Sequence, residues 1–437
     1  MNEKTNSLIE LGGMERIAAV LHDSFHGALT PAGMARIRGG VLRPEPFRAA
    51  LGLLQARHPR LRSRLKRKGK SRYFFEEVSS PPPIPVDFLE LGEDREYWQY
   101  ALQQLNKPPF DVENGPLMRT RILVHPGGGA CDLLMAWHHS IVDGPAVFQI
   151  VHDLLTYYEK AEKGETVEVE SKEFPSGALS DVHPSFFQKL RVLWNSFRFS
   201  KGRAWNLRFE STELCPRRLI FPEEELKRML AQCKEKKVSL TGFLSAVGMT
   251  VLGEMSREGY GQGSGKLTFG TPVDLRTRRE GLTLADVGCF ISSFNRKYSR
   301  SKTRAGIWDF AEQISTDLST YASSEEPLHL VKVTEGWVDR VKRPTRRTSL
   351  IINNLGVYHF APSYGPLRIE EYAWSANADQ FGSDIALLAV TIEGKLNFQV
   401  GGIYMGRKTM DRFLALYREI LSETVGIIGT LPPGNRT

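Results

Sequence analysis

Cysteine is scarce in this sequence, and long apolar runs are missing. The 437 residues include four cysteines, and no two of them form a CxxC pair. This spacing fits neither the disulfide framework of a secreted domain nor a zinc site. The N-terminal stretch MNEKTNSLIELGGMER holds no apolar core for a signal peptide, and the uncharged run from Val238 to Gly253 is too short for a spanning helix. We therefore expect a soluble cytoplasmic protein.

Several motifs of common enzyme classes are also missing. The sequence has no GxSxG elbow and no HExxH pair, which removes the usual anchors for hydrolases and metalloproteases. The glycine-rich stretch GYGQGSGK does not match GxGxxG, and Leu267 stands where a Walker motif requires serine or threonine. A nucleotide-phosphate loop is therefore not expected.

A moderate excess of basic residues characterises the chain. Lysine and arginine number 58 against 50 acidic residues, a formal charge of +8. The basic residues are spread along the sequence, so the charge suits phosphate-bearing or acidic partners without requiring nucleic acid. One local cluster is RLRSRLKRKGK, at residues 60–70, where the alternation of basic residues predicts a strand with one solvated basic face. An anion site is the alternative interpretation of this run.

Length and hydrophobic pattern predict two lobes. A chain of 437 residues exceeds the size at which a single core usually divides. The stretch Pro44–His58 has helical spacing, and strand patterns cover residues 117–124 and 132–138. We predict a first lobe over residues 1–165, a crossover linker over 166–214 and a second lobe over 215–437.

Aromatic and basic residues alternate in the predicted linker. The stretch HPSFFQKLRVLWNSFRFSKGR, residues 183–203, contains five basic residues and no acid. One interpretation is a crossover helix that packs on the lobes and keeps a basic outer face. The other is a helix that lies on a membrane surface.

Two adjacent histidines, His138 and His139, end an apolar strand pattern and precede Asp143 and Gly144. The start of the following helix lies close to His139, which favours a neutral imidazole that accepts a proton at neutral pH. Asp143 is placed to orient the ring, to pair with a cation or to cap the helix. Because adjacent strand residues face opposite sides, the two histidines cannot easily converge on a metal ion, and none is expected. On these residues alone, a catalytic and a structural role both stay open.

The heptapeptide HHSIVDG, residues 138–144, resembles the HHxxxDG signature of the chloramphenicol-acetyltransferase-like superfamily. That superfamily includes nonribosomal peptide condensation domains, polyketide-associated acyltransferases, alcohol acetyltransferases and wax-ester synthases. Further stretches resemble family landmarks in the expected order: RPEPFRAALGLLQARHPRLRSRL, VSLTGFLSAV, TPVDLRTR and SLIINNLG. The resemblance covers most of the chain. DQFGSD, residues 379–384, lies near the place of the DFGWG motif of plant members but lacks the tryptophan.

The resemblance assigns roles to the residues of the signature. His139 matches the general base, which takes a proton from an acceptor hydroxyl or amine as that group attacks a thioester carbonyl. His138 matches a supporting residue, for which ordinary packing is the alternative. Asp143 matches a residue that forms a salt bridge, with Arg276 as the expected partner and Arg278 as the second choice.

Secondary roles follow for four other positions. Gly144 permits close backbone approach and offers its N–H to the developing oxyanion. Because a thioester is already activated, Ser140 is not needed as a nucleophile and serves the turn, with substrate contact as the alternative. Asn353 and Asn354 are placed to donate hydrogen bonds to substrate or to backbone.

The resemblance implies an α/β fold of two similar lobes with mostly antiparallel sheets, arranged as a V with a tunnel between them. The expected activity is transfer of an acyl group from acyl-CoA or an acyl carrier protein to an alcohol of a small molecule, lipid or polyketide. Amide formation with carrier-bound substrates is the alternative, as is a catalytically silent binding protein. We expect a monomer without a resident cofactor, acyl-CoA or acyl-phosphopantetheine as cosubstrate, no nucleic acid, and peripheral membrane contact as an open possibility.

Overall fold

The structure is a computed structural model. It describes residues 8–69, 72–92, 94, 96–175, 179, 181–200, 216–260, 266–299, 304–341, 348–361, 363–377, 383–401 and 406–431, with the side chains of 197–200 and 375–377 left aside. Most of the DQFGSD stretch, at residues 379–382, lies outside the described residues, as does most of the GYGQGSGK stretch, at 261–265.

The N-terminal part of the described chain forms two sheets with flanking helices. Its strands are β1 Leu8–Glu10, β2 Thr30–Arg38, β3 Ser63–Lys68, β4 Arg72–Glu77, β5 Val86–Glu90, β6 Met118–Val124 and β7 Ala130–Trp137. Its helices are α1 Gly13–Ser24, α2 Pro44–Arg57, α3 Tyr97–Asn106 and α4 Gly144–Glu162, and the crossover contributes α5 Phe186–Ser200.

The C-terminal part of the described chain forms a third sheet, adds one strand to a sheet of the N-terminal part and contributes further helices. Its strands are β8 Arg217–Phe221, β9 Lys266–Asp274, β10 Ile291–Ser299, β11 Thr348–Tyr358, β12 Arg368–Asn377, β13 Ser383–Ile392 and β14 Lys395–Gly401. Its helices are α6 Glu223–Glu235, α7 Leu240–Arg257, α8 Ile307–Ser323, α9 Glu326–Glu335 and α10 Arg407–Val425. A six-stranded sheet has the order β10-β9-β11-β13-β14-β8.

Strand pairing is mostly antiparallel, as predicted. In the five-stranded sheet, of order β12-β2-β7-β6-β5, only the β5–β6 pair is parallel. In the six-stranded sheet, β11 pairs in parallel with both β9 and β13, and the other pairs are antiparallel. The structure is therefore the mixed α/β fold of two lobes that the sequence predicts.

Strand β7 ends directly before the candidate histidines, and it is buried on both faces. Cys131, Leu133 and Met135 face the main core of the first lobe. Leu134 and Ala136, which alternate with them, face a smaller core beneath α3. Successive side chains of a strand point to opposite faces, so this double burial explains the continuous apolar run in the sequence. The strand is thereby held as a rigid support for the turn that follows it.

Strand β12 belongs to the sheet of the first lobe, although it lies in the segment predicted as the second. It pairs antiparallel with β2, with Ile369 opposite Ile37 and Ala373 opposite Met34. Sheet membership therefore does not follow chain order. The lobe boundaries at residues 165 and 214 stay predictions, and β12 adds a connection that sequence periodicity does not reveal.

Helix α7 is the most apolar helix of the second core. Among the described residues, no single helix has the length and hydropathy needed to cross a bilayer. Only α6 and α7 taken together reach that threshold by length and composition, and they are bent by 96° relative to each other. Thirteen of the 18 residues of α7 are buried inside the protein.

Candidate active site

The candidate histidines lie in the tight turn between β7 and α4. β7 ends at Trp137 and α4 begins at Gly144, with Pro145 in its first turn. His138 N–H donates to the Leu117 carbonyl at 2.9 Å, and Ile141 N–H donates to the His138 carbonyl at 3.1 Å. These bonds anchor the turn to the residue that precedes β6 and close the turn on itself.

His139 is held with one ring nitrogen committed and the other open. Its Nδ1 lies 2.7 Å from the Val142 carbonyl oxygen. Since a carbonyl only accepts, Nδ1 carries the proton, and the lone pair of the neutral ring is on Nε2. Within the described part of the chain, Nε2 forms no hydrogen bond, and it remains accessible to solvent. The turn therefore presents a proton acceptor in a fixed tautomer.

Burial also sets the protonation state of His139. Loss of hydration lowers the pKa of His139 below its ordinary value of 6.5, although the hydrogen bond to Val142 and the charge of Asp143 oppose this shift. The thiol of Cys289 lies 3.6 Å from Nδ1, and burial raises the pKa of Cys289 well above 9.0, so this neighbour is uncharged. Both effects favour the neutral, basic form of the imidazole.

His138 lies in the buried interior of the first lobe. It is buried, its Nδ1 lies 2.7 Å from the Ser140 hydroxyl, and its ring centroid lies 4.5 Å from that of His22. Burial lowers the pKa of His138 well below 6.5. Ser140 is fully buried and its hydroxyl is engaged with His138, so the structure places both side chains in packing of the turn.

Asp143 combines two of the roles that the sequence left open. Its Oδ1 accepts from the Ala146 backbone N–H at 3.1 Å, which caps α4. Both carboxylate oxygens also accept from Arg276, at 2.8 Å each, and Oδ2 accepts from the Phe290 N–H at 2.8 Å. Asp143 is fully buried, so these partners replace its hydration shell. It does not contact the ring of His139 through a hydrogen bond.

The contact predicted between Asp143 and Arg276 is therefore present, and it joins the two halves of the chain. Arg276 is buried, and it also donates to Asp274 Oδ1 and to the Asp286 carbonyl, both at 3.1 Å. Arg278, the second choice, pairs instead with Glu325. A bidentate guanidinium from the second half thus fixes the turn that carries the histidine from the first.

Strand β11, which contains the INNLG stretch, approaches the turn at Gly144. A Cβ at Gly144 would lie 2.3 Å from Leu355 Cδ2, so the absent side chain allows Leu355 of β11 to approach. Asn354 donates to Thr241 Oγ1 at 3.0 Å and accepts from the Gly356 N–H at 3.1 Å, which ties it to local structure. Asn353 lies in β11 opposite Leu388. The structure thus brings β11 to the turn through Leu355.

One buried ion pair near the turn escaped the sequence analysis. Arg60 stands in the basic run that alternation assigned to a solvated strand face, yet it is buried, at 1% exposure, in a 3₁₀ turn over Pro59–Arg62. It pairs with Glu15, reaches the Ser140 carbonyl at 3.5 Å and stacks near Phe290. The solvated-face prediction is wrong for Arg60 because helix-like turns put one residue inward irrespective of strand alternation. The HPRLR landmark was the available signal.

Residues suited to a metal do not converge in the described ranges. No group of three or more histidine, cysteine, aspartate or glutamate side chains in this part of the chain is arranged to hold an ion.

Two α/β lobes with mostly antiparallel sheets, joined at an HHxxxDG turn, define the chloramphenicol-acetyltransferase-like class of proteins. Within that class, the family model named Condensation domain matches residues 30–326 of the 437. This match covers most of the chain and includes the turn. The chain belongs to the condensation-domain family.

Individual relatives agree with this assignment. Tyrocidine synthase 3 of Brevibacillus parabrevis is 23% identical over 400 residues, which cover 87% of this chain and 6% of that protein. The chain thus spans about a twentieth of the length of the curated relatives it matches. The first condensation domain of the calcium-dependent antibiotic synthetase, in complex with a substrate analogue, superposes with a TM-score of 0.75 at 14% identity, covering 97% of this chain and 98% of that one.

A solved acetyltransferase is also similar in fold. Trichothecene 15-O-acetyltransferase from Fusarium sporotrichioides gives a TM-score of 0.71 at 11% identity and covers 96% of this chain and 97% of its own. Identities this low show the fold alone. The resemblance to the superfamily and the two-lobed fold are confirmed, whereas the roles of individual site residues stay predictions.

Proposed function

We propose that the chain is an acyltransferase that moves an acyl group from a thioester of coenzyme A or of a carrier protein to the hydroxyl of a small molecule. The observation that carries this proposal is the neutral His139 ring, whose Nδ1–H is held by Val142 while Nε2 is left to accept a proton. A hydroxyl is a weak nucleophile until a base removes its proton, so a fixed imidazole favours this acceptor.

The mechanism follows from that geometry. The acceptor hydroxyl donates to His139 Nε2, its oxygen attacks the thioester carbonyl, and the proton moves to the ring as the C–O bond forms. The tetrahedral intermediate then expels the thiolate, which takes the proton back as the C–S bond breaks. No covalent acyl-enzyme is required, because the thioester is already activated and both substrates are held together.

The developing oxyanion needs a donor close to the same turn. Gly144 is the first residue of α4, and N–H groups in the first turn of a helix have no acceptor inside the helix. The positive end of the helix adds to this stabilisation. We therefore assign the oxyanion contact to the backbone N–H of Gly144. The net charge of +8 favours binding of the phosphates of coenzyme A or of an acidic carrier protein.

Amide formation is the second candidate function. It is favoured by the similarity to tyrocidine synthase 3 over 87% of this chain. His139 would take a proton from an amine in the same position, so the site geometry accommodates both acceptors. The distinction lies in the groups that bind the acceptor.

A donor and acceptor panel separates these functions. The purified protein is incubated with acyl-CoA or acyl-loaded carrier protein, each with alcohol or amine acceptors, and the products are identified by mass spectrometry. We expect ester products whose formation depends on the thioester. Amide products only, and only from the loaded carrier, would replace the proposed function by the second one. Absence of any acylated product across the panel would favour a catalytically silent binding protein.

The pH dependence of the reaction tests the state of the base. Because burial lowers the pKa of His139 below 6.5, the ring stays neutral as the pH falls towards that value. We expect kcat/KM to be constant from about pH 8 to pH 6.5 and to decline only at lower pH, where the ring becomes protonated. Measuring initial rates over this range checks the expectation. A decline that begins above pH 7 would contradict it, since it would require a raised pKa.

A further inference from the structure

Helix α5 carries an apolar stripe that the fold leaves on its outer surface. At 100° per residue, positions 186, 187, 190, 193 and 194 fall within one stripe about 120° wide. All five side chains are large and hydrophobic, and all are exposed: Phe186 by 69%, Phe187 by 79%, Leu190 by 46%, Leu193 by 36% and Trp194 by 60%. Exposed apolar residues clustered on one helix face mark an interaction surface rather than a scattered surface composition.

The opposite side of the same helix provides its attachment to the protein. Val192, nearly opposite the centre of the stripe, is buried, and α5 packs against α9 and β10. Arg191 pairs with Glu326 at the start of α9. The helix is therefore docked through one side while the wide apolar side faces away from the core. The packing on the lobes that the crossover interpretation predicts is present, and the large apolar side chains of the stripe stay exposed beside it.

Basic residues border the apolar stripe. Lys189 and Arg191 lie about 40° beyond its two edges, and both are exposed. From Pro184 to Phe209 the sequence has six basic residues and no acidic one. A helix with aromatic and aliphatic residues on one face and lysine or arginine along its borders is the pattern of helices that lie in the headgroup region of a membrane. Glu326 offsets part of the charge of Arg191, so Lys189 is the border residue with the simpler surroundings.

From this arrangement we infer that α5 binds the surface of a membrane that contains anionic lipid. The apolar stripe enters the boundary between headgroups and acyl chains, and the basic border residues contact the headgroups. The occupant is identified by charge complementarity: an acid-free, basic and aromatic segment on a chain of net charge +8 matches a negatively charged lipid surface. Helix α5 also packs on β10, which begins directly after Cys289 and Phe290 of the candidate active site.

Vesicle sedimentation tests this inference with the full chain. The protein is mixed with vesicles of phosphatidylcholine alone or with about one third phosphatidylglycerol, and the bound fraction is measured after centrifugation. We expect binding to the anionic vesicles and weaker binding to the neutral ones, with loss of binding as salt screens the charges. The readout does not depend on acyl transfer, so it stands or falls separately from the proposed function.

Substitutions on the stripe identify the binding face. Phe186→Ser/Phe187→Ser is expected to lower partitioning to anionic vesicles by at least about tenfold, because two exposed aromatic anchors are removed. Lys189→Gln is expected to lower it by about fivefold on anionic vesicles and to leave neutral vesicles unaffected. The matched control is Leu230→Ser/Leu284→Ser, which removes two other exposed leucines, at 45% and 62% exposure, and keeps wild-type partitioning.

Several outcomes would overturn the inference. One is absence of sedimentation with either vesicle, and another is equal partitioning of wild type and the phenylalanine variant. Gel filtration adds a third: a wild-type dimer that Phe186→Ser/Phe187→Ser converts to monomer would show that a second copy covers the stripe. Because the substituted side chains are exposed, we expect all variants to keep the wild-type melting temperature, which verifies that the fold is intact.

Discussion

Replacement of His139 by alanine is expected to lower the rate of acyl transfer by about 10²–10⁴-fold, with little change in melting temperature. This magnitude is typical for removal of a general base. The ring bonds the Val142 carbonyl and makes a longer contact with the Cys289 thiol, so its loss costs little stability compared with its effect on chemistry. Initial rates with saturating thioester and alcohol, together with a thermal melt, provide the measurement.

Two comparisons make this result specific to the base. Added imidazole is expected to restore part of the rate of His139→Ala, because a small base fills the vacated position. His183→Ala, which removes an exposed histidine outside the helices and strands, is expected to keep the wild-type rate. We also expect the decline of the rate at low pH to be absent in His139→Ala, because the ring that becomes protonated is gone. An unchanged rate in His139→Ala would remove this residue from the mechanism.

Replacement of Asp143 by alanine is expected to reduce stability and rate together. The substitution leaves the buried guanidinium of Arg276 without its bidentate partner and removes the cap of α4. Breaking a buried ion pair by removing one member typically costs about 3–5 kcal/mol. The turn that positions His139 is then released, so the rate should fall by at least about tenfold. Denaturant unfolding and steady-state kinetics on the same preparation measure both effects.

A double-variant cycle separates the ion pair from the cap. Asp143→Ala/Arg276→Ala removes both charges, and its loss of stability is expected to be smaller than the sum of the two single losses by about 1–3 kcal/mol. The matched control is Arg279→Ala, which breaks the more exposed pair with Asp181 and is expected to cost less than about 1 kcal/mol. A fully stable but inactive Asp143→Ala protein would assign this carboxylate a direct part in the chemistry.

Local elements of the fold were predictable because their signals lie in short stretches of sequence. Pro44–His58 was predicted as a helix, and α2 covers Pro44–Arg57. The strand pattern at residues 132–138 corresponds to β7 over Ala130–Trp137. Periodicity and helix-breaking prolines are local properties, so their positions were accurate to within two residues.

Contacts between distant segments were less accessible. The pairing of β12 with β2 joins residues more than 300 positions apart, and no periodicity specifies which sheet a strand enters. The burial of Arg60 depends on Glu15 and three aromatic rings from other segments. The partner of Asp143 was predicted from family resemblance rather than from the spacing of residues, since 133 positions separate it from Arg276.

The sequence by itself determined that a histidine follows an apolar strand and precedes a helix, because strand alternation, proline and the aspartate cap are encoded within a dozen residues. The tertiary structure decided which ring nitrogen is free, which guanidinium neutralises the buried carboxylate and which side of α5 meets solvent. These properties depend on desolvation and on partners brought together by packing of the two lobes. A linear pattern contains the participants, whereas their protonation and exposure arise only when water is excluded around them.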